Sequence, residues 1–164
     1  FQVLAQRNAM YRAAERDAEK QLESAVESAK AKKWDDARRE IDNIITSRSG
    51  GKARKNALIL LAKINEIDSS ERLREAEKAT KAGNLPEAIA LLNQVINEFP
   101  GTEAAKKSGL LKEQAKKMFA AELCEQGKVL LLSDVGEAKK LLQRVITEFP
   151  TTPAADEARS ILKK

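Results

Sequence analysis

The residue types that most often carry chemistry are scarce in this chain, and their spacing does not suit it. Histidine is absent from all 164 residues, which removes the serine and cysteine hydrolase triads, histidine-ligated zinc and the commonest general base. Cys124 is the only cysteine, so no internal disulfide can form and the redox compartment is left open. With Leu123 and Glu125 beside it, nothing favours a thiolate, and Cys124 reads as a small packed residue. Gly50-Gly51-Lys52-Ala53 has the outline of a phosphate-binding loop. Its lysine is followed by alanine instead of a hydroxyl residue, however, and Thr46 stands where the first glycine belongs. The acids Asp35-Asp36 and Glu75 with Glu77 point apart on a helix and read as solvated surface. The chain therefore carries no expected catalytic, cofactor-binding or metal-binding residue; it reads as a non-enzyme with no small-molecule substrate.

What remains is charge. Arg48, Lys52, Arg54 and Lys55 form a cationic cluster, the candidate contact for phosphate, acidic lipid or an acidic protein. No aromatic side chain lies near it to stack on bases, which disfavours nucleic acid. Residues 1–55 hold 13 basic and 9 acidic residues, 56–105 hold 5 and 8, and 106–164 hold 12 and 8. Basic ends around an acidic middle suit self-association or an extended mixed surface as well as a nucleic-acid stripe.

The elements that carry these residues are helical. Hydrophobic residues make up 42% of the chain and aromatics 4%, with only 7 glycines and 4 prolines, a balance that argues against both disorder and a turn-rich β sandwich. The longest apolar runs, Ala57 to Ala62 and Val129 to Leu132, fall well short of the roughly 20 residues that cross a bilayer. The chain opens at Phe1 inside a helix-like pattern with no signal-peptide features. It is expected to be a piece of a longer protein, which leaves room for a membrane anchor or targeting signal outside it.

Two segments match at a spacing of 50 residues: Pro86 to Ala105, PEAIALLNQVINEFPGTEAA, and Gly136 to Ala155, GEAKKLLQRVITEFPTTPAA. A worn copy lies 51 residues upstream of the first, with Trp34, Ala37, Ile41 and Ile45 at the places of Leu85, Ala88, Leu92 and Ile96. Trp34 could anchor a partner, but that alignment favours packing. Ala88, Leu92, Val95, Ile96 and Phe99 recur at helical spacing, as do Ala138, Leu142, Val145, Ile146 and Phe149. Pro100 and Pro150 end those helices, and Thr102 and Thr152 are placed to cap the next ones. Gly83-Asn84 and Ser133-Asp134 supply the preceding turns. The stretches 51–82 and 102–132 contain no proline; each can be one long helix, straight or bent, or two shorter ones, and one long helix is the favoured reading, with Ser69-Ser70-Glu71 the candidate break. Residues 1–33 form an amphipathic arm with Tyr11, Ala14, Ala18, Leu22, Ala25 and Ala29 on one side.

The unit of small-residue helix, Gly83-Asn84-Leu85 turn, Glu87-Ala88 and apolar stripe ending in Phe99-Pro100 resembles the tetratricopeptide repeat, well over about 70–164 and faintly over 25–60. The ending Phe-Pro-x-Thr-x-Ala-Ala is similar to that of bacterial envelope-associated members. The resemblance implies an all-α fold of antiparallel helical-hairpin repeats (a TPR-like α-solenoid) with alternating long and short helices. It also implies a protein–protein interaction scaffold or adaptor, bacterial, in the periplasm or at a membrane, though a cytoplasmic place is also open. A structural self-assembly module is the alternative, and a binder of nucleic acid or acidic lipid ranks below both. The spacing departs from the family's period of about 34 residues, so each unit holds an extra helical stretch. One helical repeat domain over 1–164 is expected: 1–50 as N-terminal helix and degenerate repeat, 51–100 and 101–150 as repeats, and 151–164 as a C-terminal capping helix.

Overall fold

A computed structural model describes residues 2–47 and 51–163. Among them run seven helices and no strand: α1 (Gln2–Lys30), α2 (Trp34–Thr46), α3 (Lys52–Lys81), α4 (Leu85–Glu98), α5 (Glu103–Leu130), α6 (Val135–Glu148) and α7 (Pro153–Leu162). Long helices of 28 to 30 residues alternate with short ones of 13 or 14, and α7 closes the order with 10. The chain divides into two compact units at Asp68/Ser69, inside α3.

The long stretches are continuous helices because the residues that could break them serve as packing residues. Ser69 is fully buried, and 51 residues on, α5 has the buried Ala120 at the same place. A small side chain on a helix–helix seam lets two backbones approach closely, which outweighs the weak capping tendency of serine. No break forms at Ser69-Ser70-Glu71.

In the first unit the seam of α1 (Ala18, Ala25) meets the bulkier Ile41 and Ile44 of α2 and the face Ala53, Ala57, Ile64 of α3, with Leu22, Ala29, Trp34 and Ile45 packed around this core. In the second unit the arrangement is made twice. Leu73 and Ala76 of α3, Leu92, Val95 and Phe99 at α4, and Ala104 and Ala105 of α5 form one core. Ala120, Leu123 and Cys124 of α5, Leu142, Val145 and Phe149 at α6, and Ala154, Ala155 and Ala158 of α7 form the next. The long helices supply most of the small residues and the short helices most of the large ones; α2 and α4 are each held between two long helices, and α6 between α5 and the shorter α7. α7 corresponds to the first turns of α5, with Ala154, Ala155 and Ala158 standing 50 residues after Ala104, Ala105 and Ser108.

Turns and caps explain the boundaries. Thr102 Oγ1 donates to the Phe99 carbonyl at 2.9 Å and accepts from Ala105 N at 3.1 Å; Thr152 repeats this with Phe149 and Ala155 at 2.8 and 3.3 Å. Each threonine therefore ties the end of one helix to the start of the next. Between Phe99 and Thr102, Gly101 takes φ 92°, which the proline at the first turn position and a glycine at the second permit. Thr151 at the same place keeps negative φ, so the second copy turns without a left-handed residue. Asp134 caps α6 by accepting from Glu137 N at 3.0 Å, whereas Asn84 makes no backbone cap at α4.

Candidate interaction surfaces

Of the cationic cluster expected from sequence, Lys52, Arg54 and Lys55 stand exposed in the first turn of α3; Arg48 lies outside the described residues. That turn contains no acidic residue, so three cations crowd the positive end of a helix dipole, where cations are disfavoured. The compensating group comes from α1: Glu15 Oε1 accepts from Ala53 N at 2.9 Å. Gly51 makes the approach possible, since a Cβ there would lie 2.6 Å from the Glu15 carboxylate oxygens. The fold thus joins the cluster to the arm of α1, 38 residues away in sequence, a contact that no periodicity in the sequence announces.

Beyond that junction α1 is bare. Leu4, Met10 and Tyr11 are exposed, and Arg7, Met10, Tyr11 and Ala14 line a hollow of about 350 Å³. On the other face of the first unit, Arg38 joins α2 to α3 through Asn65 Oδ1 at 3.2 Å and Asp68 Oδ2 at 2.6 Å.

The second unit carries two open grooves. One lies along α5 and α6, lined by Glu122, Glu125, Gln126, Val129, Leu130 and Leu141; Leu132, in the turn that follows α5, is exposed. The other lies along α6 and α7, where Lys139, Lys140 and Arg144 give it a basic edge; Lys140 pairs with Glu137 and Arg144 with Glu148. Arg144 also sits 5.8 Å from the centre of the Phe119 ring, which meets Phe149 edge-on.

Cys124 is buried between α5 and α7, its sulfur 3.9 Å from a Glu157 carboxylate oxygen. Burial pushes its thiol above the ordinary range; Glu157 and Glu125 push the same way, and Lys128 opposes them. Lys128 bridges Glu125 and Glu157, and these hydrogen bonds raise its own pKa.

Among the described residues no group of three or more metal-ligating side chains gathers, and no helix is long and apolar enough to cross a membrane. The repeat-defining residues sit on the short helices. Ala37, Ile41, Leu85, Ala88, Leu92, Phe99, Ala138, Leu142 and Phe149 are buried; Trp34, Ile45, Ile96 and Ile146 are half-buried; Pro100 and Pro150 are exposed at the turns.

Residues 72–102 match the tetratricopeptide repeat family model. The match takes in the last turns of α3, all of α4 and the Phe99–Thr102 turn, and this stretch is a tetratricopeptide-like repeat within an all-α helical array. No curated protein and no solved structure matches the chain.

Proposed function

We propose that this tetratricopeptide-repeat chain is a non-catalytic scaffold that holds protein partners on its helical surfaces. The observation that carries the reading is the repeat at 72–102, a module whose general use is protein–protein interaction. The α5–α6 groove adds support: Val129, Leu130 and Leu141 give it an apolar floor and Glu122 and Glu125 a charged rim, the combination of central apolar contact and polar edge that interfaces use. A photo-crosslinker at Val129 tests this. The expected result is a saturable protein adduct, competed by unmodified chain and weakened by Leu132→Asp; random or no adducts would overturn the reading.

Self-assembly is a second reading, supported by the exposed apolar edge of Val129, Leu132 and Val135 at the α5–α6 turn. Sedimentation across a wide concentration range separates the two, since a constant monomer removes self-assembly. The bacterial envelope is the compartment we propose, on the Phe-Pro-x-Thr-x-Ala-Ala endings alone; fractionation of the native cells tests it.

A further inference from the structure

We infer that the exposed arm of α1 is the seat of an acidic amphipathic helix from a partner protein. Leu4, Tyr11, Ala18 and Ala25 recur every seven residues and so share one row of α1. Ala18 and Ala25 are 3% and 0% exposed beneath α2 and α3, whereas Tyr11 is 57% and Leu4 63% exposed. One seam runs the whole helix, and its cover stops halfway. The lengths explain why: at about 1.5 Å per residue α1 is about 44 Å long and α2 about 20 Å, and α3 begins only beside Glu15. The covered half of the seam receives helices, and the same row of residues on the uncovered half has the shape to receive another.

Charge identifies what kind of helix. Arg7 and Arg12 are the charged side chains of α1 before Glu15, and Lys52, Arg54 and Lys55 stand at the foot of the arm; these five form no ion pair among the described residues, and the acids Asp17 and Glu19 lie past that junction. The carboxylate of Glu15, the acid at their junction, is already engaged by Ala53 N–H. Arg7 stands inside the apolar stripe, on the hollow it shares with Met10 and Tyr11, so an occupant must bring both apolar side chains and a carboxylate. A second copy's arm is the wrong occupant, because it would set arginine against arginine.

The test is fluorescence anisotropy of the full chain with a labelled helical peptide of about 16 residues, leucines along one stripe and glutamates on its flanks. A peptide of the same composition with the leucines scattered is the control. The striped peptide is expected to bind, to weaken roughly tenfold from low salt to about 0.3 M, and to weaken about tenfold or more with Tyr11→Asp or Arg7→Glu. Both substitutions are at exposed positions, and circular dichroism checks their folding. Equal binding of the scattered peptide, indifference to Tyr11→Asp, or no binding would overturn the proposal. So would capture of the arm by phosphatidylserine vesicles, or a dimer in sedimentation that Tyr11→Asp abolishes. The proposal rests on the scaffold reading, and the two fail separately: loss of peptide binding with the Val129 adduct intact removes this seat and leaves the scaffold.

Discussion

Arg38 Nη2 donates to the Asp68 carboxylate at 2.6 Å across the α2–α3 contact, with the Asp68 side chain 5% and the Arg38 side chain 22% exposed. The same guanidinium reaches Asn65 and, at 3.4 Å, the exposed Asp35. Removing the acid takes the shortest ion pair from a half-buried cation and leaves it the Asn65 and Asp35 contacts, which costs more than the pair itself contributes. Asp68→Ala should therefore destabilise the first unit by about 2 kcal/mol, below the range for fully buried pairs because water still reaches Arg38. Replacing both, as Arg38→Met with Asp68→Leu, should recover much of that loss. Urea unfolding of the three variants checks both statements.

Lys32 and Gly83 occupy the same turn position, 51 residues apart, with φ 57° and 77°. A left-handed conformation costs a side-chain-bearing residue roughly 1 kcal/mol and glycine almost nothing. Lys32→Gly should raise stability by about that much, and Gly83→Ala should lower it similarly. No atom lies within 4 Å of a Cβ at Gly83, so the loss there would be a backbone effect alone. Thermal melts of the two single variants should move in opposite directions.

These two relationships also mark how far the sequence could be read. Phe99-Pro100 and Phe149-Pro150 locate the ends of α4 and α6 because proline acts locally, and the threonine caps come within two residues. The absence of proline from 51–82 and 102–132 made α3 and α5 legible as long helices, although a serine pair could equally have meant a cap; only tertiary packing of Ser69 decides. The cationic residues Lys52, Arg54 and Lys55 were visible as a cluster, but their tie to the arm was not. It depends on one carboxylate contact across 38 residues, and an amphipathic pattern reports which face is apolar without reporting where its cover ends.

Gly127 and Gly109 share α5 and should respond oppositely to alanine. A Cβ at Gly127 would lie 3.0 Å from Cγ and Cδ2 of Leu142, a side chain with no exposure, whereas one at Gly109 meets nothing within 4 Å. Helix propensity favours alanine by about 1 kcal/mol at either place. At Gly127 overpacking against a core that cannot yield should exceed this, for a net loss of about 1 kcal/mol. Gly109→Ala should gain between about 0.5 and 1 kcal/mol. Denaturant midpoints at unchanged slope would establish both.

Cys124 gives a chemical readout of the α5–α7 contact. Its thiol is raised first by burial and then by Glu157, so the folded protein keeps the proton where an unfolded chain has begun to lose it. The stability this contributes is complete below the ordinary thiol range and is lost as pH rises through the folded value. Iodoacetamide should label the native chain slowly at pH about 8 and the unfolded chain much faster. Glu157→Gln removes a carboxylate that opposes the thiolate, and should speed native labelling about threefold or more.

The Thr102 and Thr152 junctions bound a cassette of 50 residues whose two ends are interchangeable. The helix after Thr102 meets α4 through Ala104 and Ala105, and the helix after Thr152 meets α6 through Ala154 and Ala155. Copying residues 103–152 in tandem would insert a new long helix and a new short helix; the first ten residues of the new long helix would repeat the α6–α7 seam, while the rest of it would meet α5 and α6 at contacts the protein does not yet possess. Duplication in whole steps of 50 residues would therefore keep the threonine-capped junctions and leave the far part of each new long helix to be matched by later substitution.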